Sequence, residues 1–334
     1  MSDSTGGSIR WGIMGPGSIA KRFTAGLKET PGAVLAAVGS RDLGRAEAFA
    51  GEYGYLRSHG SYEALVNDPN VDVIYVAVPH NGHRDGCLLA LQAGKPVLCE
   101  KPFTMNRREA VEVVTAARKH GKFLMEGMWT RCFPIMEKVR ELLAQNAIGA
   151  VRMVEADFGF RAGFNPSSRL FDPNLGGGAL MDVGIYCLSF ASMILGAPDK
   201  VAGFATLGET GVDEQAVINL SYKNGALAML STAVRTNTTH AATLFGEDGK
   251  IEIHSPFWMC SSMTVHRSGK DPETFKMPFT ASGFQFEAME VQRCLNAHLL
   301  ESPVMPLDET LELMGTMDEL RRQWGVRYPS DGAD

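Results

Sequence analysis

Apolar residues in the first third of the chain fall into short runs of strand length, separated by segments with helical spacing. Ser8 to Met14 is an apolar strand, and Ser18 to Glu29 carries Ile19, Phe23 and Leu27 on one helix face. Ala33 to Gly39 is a second strand and Leu43 to Gly51 an alanine-rich helix. Ser61 to Val66 reads as one helical turn. Val71 to Val78 is almost wholly apolar, as in a strand buried on both faces of a parallel sheet. Gly82 to Ala93 predicts a helix, Val97 to Glu100 a strand, Arg107 to Lys119 a helix and Phe123 to Gly127 a closing strand. Such alternation across short links predicts a doubly wound parallel α/β sheet.

The pattern changes after Trp129. One helix, Pro134 to Gln145, precedes strands at Val151–Phe160, Lys200–Leu207, Asp213–Tyr222, Ala226–Val234, Ala241–Phe245 and Lys250–His254. Turns such as Lys223-Asn224-Gly225 and Glu247-Asp248-Gly249 are hairpin signals. Helices return at Phe284–Leu300 and Leu307–Gly325. Two domains are expected: residues 1–128 with the parallel sheet, and residues 129–334 as an α+β domain with a large, mostly antiparallel open sheet.

Composition narrows the function. A length of 334 residues suits two domains. A net charge of −6 argues against nucleic acid or an anionic membrane as partner. We find no run of about 20 apolar residues long enough for a bilayer span. Met1 to Ser8 lacks the basic start and apolar core of a signal peptide. The six cysteines form no C-x-x-C pair and mostly sit in apolar runs, which reads as reduced thiols in a cytoplasmic protein with no metal site.

Gly15-Pro16-Gly17-Ser18-Ile19-Ala20 has the form G-x-G-x-x-A between the first strand and the first helix. Gly15 suits the tight turn, Gly17 lets backbone approach a pyrophosphate, and Ala20 allows close helix–strand packing. The N–H groups of Ser18 and Ile19 belong to a helix start that favours phosphate. This is the context of a Rossmann dinucleotide fingerprint. The second strand ends in Ser40-Arg41-Asp42. A hydroxyl and a guanidinium suit a 2′-phosphate, so NADP is expected, with NAD possible if Asp42 does the reading.

Cys99-Glu100-Lys101-Pro102 closes another strand at the end where open α/β sheets place ligands. Alone, Lys101 reads as a surface residue. Together with GPGSIA, PHNGH at 79–83, AGKPVLCEKP at 93–102 and GGGALMDVGIY at 176–186, it resembles the glucose–fructose oxidoreductase/inositol dehydrogenase (Gfo/Idh/MocA) family. The resemblance runs from Ile9 to about Pro329. Met128-Trp129-Thr130-Arg131 with Phe133-Pro134 is similar to the dimeric dihydrodiol dehydrogenase branch, which also oxidises pentoses such as D-xylose and uses NADP.

The resemblance implies that Lys101 is catalytic, close to the nicotinamide ribose and the reacting hydroxyl, with Glu100 orienting it or touching the cofactor. It implies a second catalytic group from the Asp182/Tyr186 pair, where many relatives have His at the second position. Four residues apart, the two side chains neighbour each other on a helix face. Without the family, Tyr186 reads as a core aromatic. Pro79, Asn81 and His83 are expected at the cofactor, and His83 also at the substrate. Trp129, Arg131, Phe158 and Phe160, with Asp182 and Tyr186, are expected to line the substrate pocket, and Arg161 and Arg169 are weaker candidates.

The function implied is NADP-dependent hydride transfer with a hydroxyl-bearing carbon of a sugar, polyol or trans-dihydrodiol. The competing readings are an NAD-dependent glycosidase on the same scaffold and a non-catalytic dinucleotide sensor. A homodimer through the C-terminal sheet is expected.

Overall fold

The computed structural model describes residues 7–332. The reading of residues 1–6 as no signal peptide lies outside the described residues. The first third alternates strand and helix: β1 (Ile9–Met14), α1 (Ser18–Lys28), β2 (Ala33–Gly39), α2 (Leu43–Tyr53), β3 (Arg57–His59) and α3 (Tyr62–Val66). It continues through β4 (Val73–Val76), α4 (His83–Gln92), β5 (Val97–Glu100), α5 (Arg107–His120) and β6 (Leu124–Gly127). Among the described residues these strands form one parallel sheet in the order β3-β2-β1-β4-β5-β6. The reversal between β1 and β4 is the switch point at which such sheets bind ligands. β4 and β5 are buried at every residue, which explains their unbroken apolar runs. Asp42 and Ser61 start α2 and α3 by accepting the backbone N–H groups of Arg45 and Ala64.

The remaining elements are α6 (Pro134–Ala144), β7 (Val151–Gly159), α7 (Ile185–Leu195), β8 (Lys200–Leu207), β9 (Asp213–Ser221) and β10 (Leu227–Ala233). After them come β11 (Ala242–Gly246), β12 (Gly249–Ile253), β13 (Ser262–Arg267), β14 (Glu273–Lys276), α8 (Gln285–Asn296) and α9 (Leu307–Trp324). The second sheet runs β14-β13-β12-β11-β7-β10-β9-β8. Its pairings are antiparallel except β7 with β10. β9 alternates, with Ala216, Ile218 and Leu220 buried and Gln215, Val217 and Asn219 outward. The sequence reading missed β3, β13 and β14.

Two compact units emerge. The first comprises residues 1–104, 108–129 and 280–310, and the second comprises 105–107, 130–279 and 311–334. The change of unit at Trp129 lies beside the sequence boundary, but residues 280–310 return to the first unit, where a single cut places them in the second. One more expectation needs correcting. Residues 173–195 are long and apolar enough to cross a membrane, with mean hydropathy 1.7, yet 83% of their most apolar 18-residue window is buried inside the protein. It is a core segment of the second unit.

The returning chain lays α8 against α1. A β-carbon at Gly26 would fall 2.7 Å from the Gln285 nitrogen and 2.8 Å from Phe284 Cβ. Trp11 Nε1 donates to Gln292 Oε1 at 3.4 Å, and Gln292 Nε2 donates to Pro31 O at 2.8 Å. We expect Gly26→Ala to lower unfolding stability by about 1–3 kcal/mol through overpacking. Urea denaturation reads this as a lower midpoint, and an unchanged midpoint sinks the close-approach argument.

Candidate active site

The first unit carries a glycine turn whose geometry can be compared with a phosphate-binding one. Gly15 adopts φ +96°, a left-handed conformation at the tip of β1. A β-carbon there would crowd Val78 Cγ1 at 3.0 Å and Ala77 O at 3.2 Å, whereas at Gly17 the nearest atom is Ala77 O at 4.0 Å. Gly17 precedes α1 in extended conformation, with no side-chain cap and no acid in the first turn. An uncapped, acid-free helix start leaves its amide donors and dipole for an anion, which fits a pyrophosphate. Ser18 and Ile19 open that helix, and Ala20 is fully buried beneath it.

At the end of β2, Ser40 is buried and its Oγ accepts the Asp42 N–H at 3.2 Å. Asp42 Oδ1 is engaged in capping α2 at 3.2 Å, while Arg41 is exposed. After β4, Pro79 and Asn81 are exposed on a short turn. His83 is placed differently from a ligand contact. Its ring is fully buried, with Nδ1 2.9 Å from Pro102 O and Nε2 3.0 Å from Val78 O. Both nitrogens face backbone carbonyls, one of them donating its N–H, so the ring braces the turn after Lys101. Burial pushes it down to about 4, against the pull of those carbonyls.

Glu100 ends β5 almost without solvent. Its carboxylate accepts the Tyr75 hydroxyl and the backbone N–H of Lys101, the latter at 3.2 Å. Burial raises the Glu100 carboxyl above the usual carboxylate range, although Tyr75 and the Lys101 charge pull the other way. Glu287, on α8, is fully buried with both oxygens lacking a hydrogen-bond partner, and burial together with Glu100 raises it strongly. Lys101 is half-buried, and its peptide bond to Pro102 is cis. Behind it, Glu126 accepts Phe103 N–H and the Thr310 hydroxyl, each at 3.1 Å. Trp129 is also in this unit, stacked on Phe284 with centroids 4.4 Å apart and the Arg22 guanidinium 5.6 Å from its ring. Its place is a packed stack within the first unit.

The second unit supplies an acid, a phenol and an aromatic cluster. Asp182 lies in a π-helical turn, Leu180–Gly184, that leads into α7, which carries Tyr186. The regular α spacing expected for this pair is therefore interrupted, a feature common at functional sites. Asp182 Oδ1 accepts Arg169 Nη2 at 2.7 Å. Tyr186 is buried beside Phe158, ring centroids 5.4 Å apart, and Phe158 lies 6.4 Å from Phe160. Arg131 is engaged internally, donating to Ser189 Oγ at 2.8 Å and Ser189 O at 2.7 Å. Arg161 is exposed, and its backbone N–H donates to Asn237 Oδ1 at 2.9 Å.

Sequence reasoning missed Trp258 and His240. Trp258 stacks on Phe158 at 3.3 Å, and His240 lies 4.6 Å from the Trp258 ring. His240 holds φ +63° because Asp157 takes its N–H at 2.7 Å. Trp258 was visible as a lone tryptophan in a turn, but its stacking partner is distant in sequence. Among the described residues no group of three His, Cys, Asp or Glu gathers as a metal site.

Comparison with known proteins agrees with this geometry. Residues 9–128 match the oxidoreductase family with NAD-binding Rossmann fold, and residues 136–252 match the GFO/IDH/MocA C-terminal domain. Trans-1,2-dihydrobenzene-1,2-diol dehydrogenase of Mus musculus is 40% identical over 97% of this chain and 99% of its own. The Homo sapiens protein of that name is 36% identical over the same shares. Aldose-aldose oxidoreductase from Caulobacter crescentus, complexed with glycerol, superposes with TM-score 0.86 at 26% identity, covering 94% of this chain and 97% of that one. KijD10, a 3-ketoreductase from Actinomadura kijaniata in complex with NADP and TDP-benzene, gives TM-score 0.82 at 25% identity, with the same coverage.

His83 makes a pH prediction. Its ordinary value of 6.5 is lowered to about 4 in the folded protein. The stability it contributes is therefore present above 6.5 and is lost as pH falls through about 4, on the order of 3 kcal/mol in all. Denaturation midpoints followed from neutrality to pH 4 are expected to fall less steeply in His83→Gln. An identical slope in both proteins counts against the brace.

Proposed function

The chain belongs to the Gfo/Idh/MocA oxidoreductase family, and from that premise we propose an NADP-dependent dehydrogenase acting on a trans-dihydrodiol or a related sugar or polyol hydroxyl. It is an oxidoreductase with a nicotinamide dinucleotide-binding domain. The observation that carries the reading is the uncapped, acid-free start of α1 behind Gly15 and Gly17. NADP is favoured over NAD because Asp42 is engaged in capping α2, leaving exposed Arg41 and buried Ser40 to meet a 2′-phosphate. Gly15, Gly17, Ser18, Ile19 and Ala20 hold the pyrophosphate in this reading, with Pro79, Asn81 and Glu100 nearer the nicotinamide end.

When bound, the nicotinamide supplies the hydride acceptor. The chain's own residues handle the proton. Lys101 and Tyr186 are the two groups assigned to take it from the substrate hydroxyl during oxidation and return it during reduction. Asp182, whose Oδ1 accepts Arg169 Nη2, is the group assigned to a substrate hydroxyl. Phe158, Phe160 and Trp258 offer flat apolar faces, which suit a cyclohexadiene diol or a pyranose and keep water away. A dinucleotide and one small hydroxyl compound are the partners.

Oligomerisation is part of the proposal. On the outer face of the second sheet, Phe204 is 81% exposed, Met229 and Leu227 52%, and Val217 50%. Phe204 and Val217 are register partners on β8 and β9, so this is a contiguous apolar patch on an open sheet. A second copy of the chain is the occupant we assign, and sedimentation is expected to give a dimer; a monomer at micromolar concentration removes it. Six free cysteines, five of them buried, support a cytoplasmic location.

The deciding assay follows reduced-cofactor absorbance with trans-dihydrodiols, pentoses, hexoses and inositols against NADP and NAD. Net NADPH formation with one of these classes is expected, with Lys101→Met lowering kcat about 100-fold or more. A Tyr186→Phe protein with near-normal turnover takes the phenol out of the chemistry. Tighter binding of NADH than NADPH refutes the cofactor choice. Glycoside cleavage without net reduced cofactor, or binding without turnover of any class, overturns the dehydrogenase reading.

A further inference from the structure

We propose that Asp213 is a positioning residue for Asp182 and Tyr186, its buried carboxylate fastening the start of the helical segment that carries both. The inference rests on the proposed role of that pair in handling substrate. Asp213 opens β9 and is fully buried. Its Oδ2 accepts the N–H of Leu180 at 2.6 Å, and Leu180 is the first residue of the π-helical turn. Its Oδ1 has no hydrogen-bond partner and occupies the place where a β-carbon of residue 178 would stand. Gly178, at φ +119°, is the residue that admits the carboxyl.

Two more side chains hold the same stretch. The Tyr328 hydroxyl donates to Gly177 O at 2.5 Å, and the Thr232 hydroxyl donates to Ala179 O at 3.2 Å. Backbone groups of Gly177, Ala179 and Leu180 are thus each taken by a side chain from a different part of the second unit. The π-helical turn begins at the residue Asp213 holds. Gaining or losing one residue in such a turn rotates everything beyond it by about 100° around the helix axis. A fastening at Leu180 therefore fixes the direction in which Tyr186 projects.

The charge on this carboxyl matters as much as its position. Burial pushes Asp213 up to about 7, while the Leu180 N–H and the Arg321 charge draw it down. The groups facing it are Arg321 from α9 and the phenol of Tyr328, whose ring lies 4.7 Å from the Arg321 guanidinium. Arg321 is itself paired with Asp331 at 2.7 Å and Asp318 at 2.6 Å. On its own strand, Glu214 pairs with Arg235 at 3.5 Å. The ionised form is the stronger acceptor for Leu180 N–H. It is also costly to bury. Because the folded value is raised from 3.8, stability from this group is complete below 3.8 and is lost as pH rises through about 7.

The test compares wild type, Asp213→Asn and Asp213→Ala, using the substrate and NADP pair found by the absorbance screen. In Asp213→Ala, kcat is expected to fall about tenfold or more while the KM for NADP stays within about twofold. Amide hydrogen exchange across residues 180–186 is expected to quicken. Asp213→Asn keeps an acceptor for Leu180 and recovers part of kcat. It also melts above wild type on the alkaline side of neutrality, and it lacks the rise in activity that wild type is expected to show as Asp213 ionises near about 7. Wild-type kcat, pH profile and exchange in both variants overturn the inference. If Asp213→Ala does not fold, the pH profile and exchange of Asp213→Asn decide it. A wild type that turns over no substrate defeats the dehydrogenase reading instead, and exchange across residues 180–186 still tests the fastening.

Discussion

Backbone has to pass, in several places, where a single methyl group would collide, and the rest of the molecule is arranged around those passages. At Gly15 the chain leaves β1 and turns against Ala77 and Val78. At Gly26 it admits the backbone of α8. The first passage frees the amides at the start of α1, and the second completes the packing of that helix. A helix presenting unpaired N–H groups to a ligand must be immobile to be selective, and close packing along its length supplies that rigidity.

Buried ionisable groups form the second theme of the first unit. Glu100, Glu126 and Glu287 lie within it almost without solvent. Glu126 is satisfied by two donors, Glu100 by Tyr75 and the Lys101 amide, and Glu287 by none. Isolated buried charge is expensive, and burial with the nearby Glu100 raises Glu287 strongly, while the Tyr75 hydroxyl and the Lys101 amide partly offset the cost at Glu100. His83 complements this by staying uncharged while it props Pro102.

Much of this was legible in the residues alone. The central parallel strands were readable because burial leaves unbroken apolar runs, whereas the edge strand β3, Arg57–His59, is polar and was missed; β8 was placed to the residue. β13 and β14 were not, since Ser262–Arg267 mixes Thr, His and Arg with its apolar positions and Glu273–Lys276 is an exposed edge. The parallel pairing of β7 with β10 was out of reach because strand neighbours are chosen by contacts distant in sequence. The glycine turn and Glu100-Lys101-Pro102 could be singled out because their signals are local in sequence. His83, Arg131 and Trp129 were expected at ligands, yet Pro102, Ser189 and Phe284 engage them. Whether a polar or aromatic side chain faces a ligand or its own fold depends on partners that spacing does not reveal.

The return of residues 280–310 to the first unit bears on how the protein is made. During vectorial synthesis the parallel sheet leaves the ribosome early, but α8 cannot join it until residues 130–279 have been translated. Until then the surface that receives α8, including Gly26 and the indole of Trp11, is uncovered. The nucleotide half of a nascent chain is therefore incomplete until the last part of the message has been read.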